Sequence, residues 1–80
     1  MVEIRYFAAI ADAVGKDRET LDLPAGATVG DLRSSLAASY GPGLDKMLSV
    51  CAYLVGDELT RDPRMALTPR VDVLPPFAGG

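Results

Sequence analysis

The sequence predicts an α+β fold, a single sheet with one main helix laid across one face. Three observations predict it. Residues 2–7 alternate apolar and polar side chains, residues 29–40 carry apolar residues three and four positions apart, and residues 50–55 are apolar throughout. At 80 residues and 8.4 kDa the chain has room for one small domain.

In the first segment Val2, Ile4 and Tyr6 share one side and Glu3, Arg5 and Phe7 the other. This is the period of a strand with one buried face, and it leaves Phe7 on the polar side. The alanines of residues 8–14 suit a short helical turn closed by Gly15. In residues 18–23, Leu21 and Leu23 alternate with Thr20 and Asp22, which predicts a second strand paired with the first. Pro24-Ala25-Gly26 ends it, because proline removes a ladder donor and glycine permits a turn.

The main helix is marked along its length and at both ends. Val29, Leu32, Leu36 and Tyr40 fall on one face. Thr28 is a good N-cap with Asp31 three residues on, a capping-box variant whose shorter acid is expected to reach back less well than Glu. Gly41-Pro42 is a stop signal. After a short stretch holding Leu44, Met47 and Leu48, residues 49–55 are apolar on both alternate sets, which predicts an interior strand covered on both faces. Gly56-Asp57 turns the chain toward residues 58–60, and Asp62-Pro63 and Thr68-Pro69 bracket a loop before a last strand at residues 71–74. Residues 1–74 thus read as one domain and residues 75–80 as an extended tail.

Composition narrows the chemistry. The chain has no His, which removes Ser-His and Cys-His dyads and most zinc sites, so no metal site is expected. Its single cysteine cannot form an internal disulfide or ligate an iron–sulfur cluster. Packing of a chain that is 49% hydrophobic must therefore hold the domain together. A net charge of −3 argues against a nucleic-acid partner, which calls for a basic stripe. The longest apolar runs, residues 6–11 and 50–55, fall far short of the ~18 residues of a membrane span. Glu3 and Arg5 interrupt any signal-peptide pattern at the amino terminus. A cytoplasmic protein with no membrane partner is the expectation.

The chain ends Leu74-Pro75-Pro76-Phe77-Ala78-Gly79-Gly80. Adjacent prolines favour an extended conformation that directs the tail away from the body. Gly79 and Gly80 have no Cβ and so make a tip slender enough for a narrow channel. The reactive group at that tip is the α-carboxylate of Gly80. A carboxylate is a poor electrophile, because its charge repels nucleophiles and its oxygen leaves badly. An ATP-using partner can convert it to an acyl-adenylate, after which sulfur or an amine can attack. The chain then acts as a carried reagent.

With Arg5-Tyr6-Phe7-Ala8, Gly26-Ala27-Thr28-Val29 opening a helix with Leu32 and Leu36, the segment from Cys51 to Val55, and Pro75-Pro76-Phe77-Ala78-Gly79-Gly80, the chain resembles the MoaD family over its whole length. These are small sulfur-carrier subunits of molybdopterin synthase, in the wider ubiquitin-like group that includes the thiamine sulfur carrier. The resemblance implies a β-grasp fold with the first and last strands parallel at the centre of a mixed sheet. It implies that the chain itself is no enzyme and binds no cofactor. An E1-like adenylating enzyme spends ATP on Gly80, a sulfurtransferase supplies sulfur, and the thiocarboxylate enters the large subunit in a heterotetramer of two small and two large chains. There the sulfur passes to cyclic pyranopterin monophosphate to build the molybdopterin dithiolene. By the same resemblance Phe77, Ala78 and Gly79 thread the partner's pocket, Pro75 and Pro76 also bind the partner, and Phe7, Leu59 and Leu74 form the partner-facing apolar surface. The sequence departs from the family at Thr68-Pro69-Arg70, where an acidic-Gly-acidic turn is usual, and at Val55-Gly56-Asp57, where Asn-Gly is common.

The rival readings are sulfur carriage for thiamine or cysteine synthesis, ubiquitin-like modification of lysines, a non-covalent binding module, and an enzyme acting through Cys51. The Pro-Pro-Phe-Ala lead-in favours the molybdopterin reading. A catalytic Cys51 needs a neighbouring cation to depress its thiol pKa, and its apolar strand reads as packing instead. Arg61, Asp62 and Arg64 read as a solvated loop.

Overall fold

The computed structural model describes residues 1–76. The chain runs β1 (Val2–Tyr6), α1 (Ala9–Val14), β2 (Arg18–Leu21), α2 (Val29–Tyr40), α3 (Pro42–Leu48), β3 (Ala52–Val55), β4 (Glu58–Thr60) and β5 (Arg70–Leu74). The strands form one mixed sheet in the order β2-β1-β5-β3-β4. At its centre β1 and β5 lie parallel, with Glu3 beside Arg70 and Tyr6 beside Val73, and the remaining pairs are antiparallel. Ile4, Tyr6, Tyr53, Val55, Val71 and Val73 meet Ile10 of α1, Val29, Leu32 and Leu36 of α2, and Leu44 and Leu48 of α3 in one apolar cluster. All three helices therefore cover the same face of the sheet and leave the other bare. This is the ubiquitin-like β-grasp.

Several elements differ from the sequence reading. Residues 42–48, read as an unassigned stretch, form α3. Gly41-Pro42 does end α2, but Pro42 also opens a helix, because its fixed φ and missing N–H suit the first turn. Buried Leu44 and Leu48 hold this short helix in place. The third strand begins at Ala52 rather than at residue 49, since Ser49 N–H still donates to Asp45 of α3 and Cys51 N–H to Leu48. That strand is interior, as expected, between β4 and β5, but its two sides are not both covered. Tyr53 and Val55 face the helices, while half-buried Leu54 lies on the bare face. The first strand stops at Tyr6, one residue early, and the second at Leu21, two residues early. The last begins one residue sooner, at Arg70.

The capping box is also better formed than the short acid suggests. Asp31 Oδ2 accepts from Thr28 N–H at 2.9 Å, and Asp31 N–H donates to Thr28 Oγ1 at 3.2 Å. The next two free donors of α2 are taken by the long loop after β4: Val29 N–H donates to Met65 O at 2.9 Å and Gly30 N–H to Pro63 O at 2.8 Å. The orphan donors of this helix end are thereby satisfied within the chain.

Ala8, between β1 and α1, has φ 52° and ψ −128°, a conformation that only glycine adopts freely. Such a residue stores about 1–3 kcal/mol of strain. Ala8→Gly is expected to stabilise the domain by about 1 kcal/mol after glycine's own entropic cost, seen as a melting midpoint higher by roughly 5 °C.

Candidate functional site

The bare face follows from strand register. One row crosses all five strands: Leu59 of β4 pairs with Leu54 of β3, Leu54 with Asp72 of β5, Asp72 with Arg5 of β1, and Arg5 with Arg18 of β2. The row is apolar on its β3–β4 side and charged on its β1–β2 side. A second row pairs Ala52 with Leu74, with Phe7 one residue beyond the Tyr6–Val73 pairing. A third holds Arg70, Glu3 and Thr20.

Within this surface Arg5 binds Asp72 as a fork, Nε to Oδ1 at 3.0 Å and Nη2 to Oδ2 at 3.3 Å. The same guanidinium stands 5.4 Å from the centre of the Phe7 ring. Exposed ion pairs contribute at most about 1 kcal/mol, so the effect of this contact is mainly geometric: it fixes where Phe7 sits. Arg70 pairs with Glu3 at 3.2 Å.

β5 leaves the sheet between two hollows. On the β3–β4 side Ala52, Leu59, Thr60, Arg61, Pro75 and Pro76 line a space of about 290 Å³. On the β1–β2 side Arg5, Tyr6, Phe7, Ala8, Ala11, Asp17 and Arg18 line one of about 560 Å³. The structure thus brings Leu59, Pro75 and Pro76 together beside the root of the tail. Phe7 and Leu74, both half-buried, share that end of the sheet, and Leu59 is 57% exposed. Phe77, Ala78, Gly79 and Gly80 lie outside the described residues.

Beneath this end of the sheet a polar cluster locks three elements. Glu19 of β2 accepts from the hydroxyls of Tyr6 of β1 and of Tyr40, the last residue of α2, and lies 3.8 Å from the Lys16 ammonium. Burial first, and then the Glu19 carboxylate, push the Tyr6 phenol well above its ordinary pKa, so it stays a hydrogen-bond donor. Tyr53 donates to Leu48 O at 2.9 Å and is likewise raised by burial.

Cys51 is 2% exposed, its thiol lies against Met47 O at 3.2 Å, and burial raises its pKa despite opposing influences from Arg33 and Arg61. It is a packing residue with neither the access nor the charge of a nucleophile. Among the described residues no group of three His, Cys, Asp or Glu side chains is placed to hold a metal ion, and no helix is long and apolar enough to cross a membrane.

The sequence reading missed Arg5, Arg18, Leu54 and Asp72 as parts of one surface. The signal that could have found them was the parallel pairing of first and last strands, which sets Arg5 beside Asp72 once their register is counted.

A β-grasp domain whose last strand runs straight into Pro75-Pro76 has the build of the ubiquitin-like MoaD/ThiS group. The chain belongs to the ThiS family, which it matches over residues 4–80. It is 29% identical over 82 residues to a molybdopterin synthase sulfur carrier subunit of Chlamydomonas reinhardtii, covering 99% of this chain and 98% of that one. A solved complex of subunits 1 and 2 of molybdopterin-converting factor from Helicobacter pylori contains a chain 27% identical, with a TM-score of 0.66 and coverage of 99% and 97%. A subunit 1 of a molybdopterin-converting factor from Pyrococcus furiosus shares the fold with a TM-score of 0.79, at 23% identity over 95% of this chain and 97% of that one.

Proposed function

We propose that this chain is the sulfur-carrying small subunit of a molybdopterin synthase. What carries the reading is the full-length likeness to the Chlamydomonas subunit in a chain that ends in Gly79-Gly80. In the proposed cycle an E1-like enzyme transfers AMP from ATP to the Gly80 carboxylate, with release of pyrophosphate. The persulfide of a sulfurtransferase then attacks the activated carbonyl, AMP leaves, and a second thiol cleaves the resulting acyl disulfide, so that the tail ends in a thiocarboxylate. The large subunit takes up the tail, and the sulfur passes to cyclic pyranopterin monophosphate on the way to the dithiolene.

The chain's own contribution is presentation. Residues 75–80 can span about 20 Å when extended, enough to carry the terminal atom from the sheet into a partner's interior. The bare face, with Phe7, Leu59 and Leu74 around the tail root, is the surface proposed to seat the large subunit, two of each chain forming the assembly. The catalytic side chains belong to the partners. This fits a chain with no His and with its one thiol buried.

The test is reconstitution. The thiocarboxylated chain, mixed with the large subunit and cyclic pyranopterin monophosphate, is expected to yield molybdopterin while its intact mass returns to that of the carboxylate. Sulfur delivered only to a thiamine or cysteine pathway acceptor, or Gly80 found joined to lysines, overturns the reading in favour of those roles.

A further inference from the structure

We infer that Arg18 is a docking point for a carboxylate side chain of the large subunit, with Arg5 and Phe7 forming the wall behind it. This inference rests on the proposed function for the identity of the partner, but the observations that single out Arg18 are its own.

Two of the three arginines on the bare face have their charge answered locally. Arg5 takes both oxygens of Asp72, and Arg70 takes Glu3. Among the described residues Arg18 forms no ion pair within 4.0 Å, and the one acid lining its hollow, Asp17, is not placed to make one. Among the described residues the β1–β2 end of the face is thus left with one guanidinium that no acid answers, on a chain whose net charge is −3.

Register makes this position costly to the isolated domain. Arg18 stands directly opposite Arg5 in the antiparallel β1–β2 pair. Like charges so placed repel. Asp72, already forked by Arg5, cannot also neutralise Arg18 across the width of β1. A carboxylate arriving from outside relieves the repulsion and meets two guanidiniums at once, one of them pre-set by its fork with Asp72 and by the Phe7 ring.

Location supplies the partner. The hollow of about 560 Å³ that holds Arg5 and Arg18 also holds Phe7 and opens beside the exit of β5. It lies within the ~800 Å² that one side of a standard interface covers around the tail root. On the opposite side of that root the surface is apolar, with Leu54 and Leu59. The large subunit is thus asked for an apolar patch on one flank of its tail channel and an Asp or Glu on the other. This asymmetry fixes the rotation of the domain about its own tail, which a tail alone leaves free.

The experiment measures binding of the large subunit to the full chain, to Arg18→Glu, to Arg18→Lys and to Phe7→Ala, by stopped-flow association and equilibrium titration at low and high salt. Arg18→Glu is expected to fold normally, since it faces Arg5 with an opposite charge, and to bind about tenfold more weakly. The loss is expected mainly in the association rate and is expected to shrink at high salt. Arg18→Lys is expected to recover most of the association rate. Phe7→Ala is expected to weaken binding at both salt levels. If Arg18→Glu binds as the parent does while Phe7→Ala is impaired, the carboxylate contact is wrong and the proposed function stands. If the parent chain fails to bind the large subunit at any salt level, the partner itself is wrong and the proposed function falls with it. A shift of the Arg18 Nε–H resonance in the isolated chain on deletion of Gly79 and Gly80 would show that the guanidinium serves the chain's own terminus, and would also overturn the inference.

Discussion

Deletion of Gly80 is expected to abolish thiocarboxylate formation and to leave the melting midpoint unchanged. The shortened chain still ends in a carboxylate, now on Gly79, so the chemistry of the terminal group is not what is lost. What is lost is reach. One residue withdraws the carboxylate by about 3.5 Å along an extended chain. Attack on a phosphate demands reacting atoms within about 3–3.5 Å in line, and a misplacement of even 1 Å costs on the order of a hundredfold. If the adenylating enzyme also seats the domain on its bare face, the body cannot compensate by sliding forward. Stability is untouched, because the apolar cluster is complete by Val73. Intact mass after incubation with ATP, the adenylating enzyme and a sulfur donor reads the first effect, and thermal unfolding reads the second. A sulfur-for-oxygen mass gain on the shortened chain would refute the role of Gly80.

The sequence was most informative where structure is local. The stripe of Val29, Leu32 and Leu36 and the Thr28–Asp31 pair specify α2 within a dozen residues, and the helix forms where they place it. Gly41-Pro42 misled because the same two residues end one helix and begin the next, and the spacing of Leu44, Met47 and Leu48 was too short a signal to overrule a stop. The third strand misled for a different reason. Apolar residues on both sides read as cover on both sides, yet Ala52 and Leu54 face the bare side of the sheet. Tyr53 packs into the core while Leu54 lies half-buried on the bare face, and a single sequence does not distinguish those positions.

The same division applies to the site. Gly79 and Gly80, which lie outside the described residues, could be proposed from sequence alone because the chemistry proposed for them belongs to the chain end and needs no fold to assemble it. The fork between Arg5 and Asp72 joins residues at opposite ends of the chain and exists only in one parallel register. The carbonyls of Pro63 and Met65 that close the α2 end are backbone atoms, which leave no mark in residue type. Nothing in the sequence marked Arg18, whose cross-strand neighbour is another arginine only once β1 and β2 are in register.

Two leucines should separate folding from docking. Leu32, fully buried on α2, packs against the sheet, and Leu59 is 57% exposed on β4. Leu32→Ala is expected to cost about 2–5 kcal/mol through lost transfer energy and the cavity left behind. A domain of this size holds only about 0.1 kcal/mol per residue in total, so that loss removes a large share of its stability and moves the urea midpoint sharply down. Leu59→Ala is expected to change stability by no more than about 0.5 kcal/mol. It is expected instead to weaken large-subunit binding by about 1 kcal/mol or more, because it truncates an apolar contact beside the tail root. Both variants should therefore lower molybdopterin formation at 37 °C, for opposite reasons. Cooling restores the folded population of Leu32→Ala, and with it activity. Raising the large-subunit concentration restores activity to Leu59→Ala, because its deficit is affinity. If Leu59→Ala unfolds like Leu32→Ala, the bare face is a structural surface of the domain. If it binds the large subunit as tightly as the parent chain does, the docking surface must be sought elsewhere on the sheet.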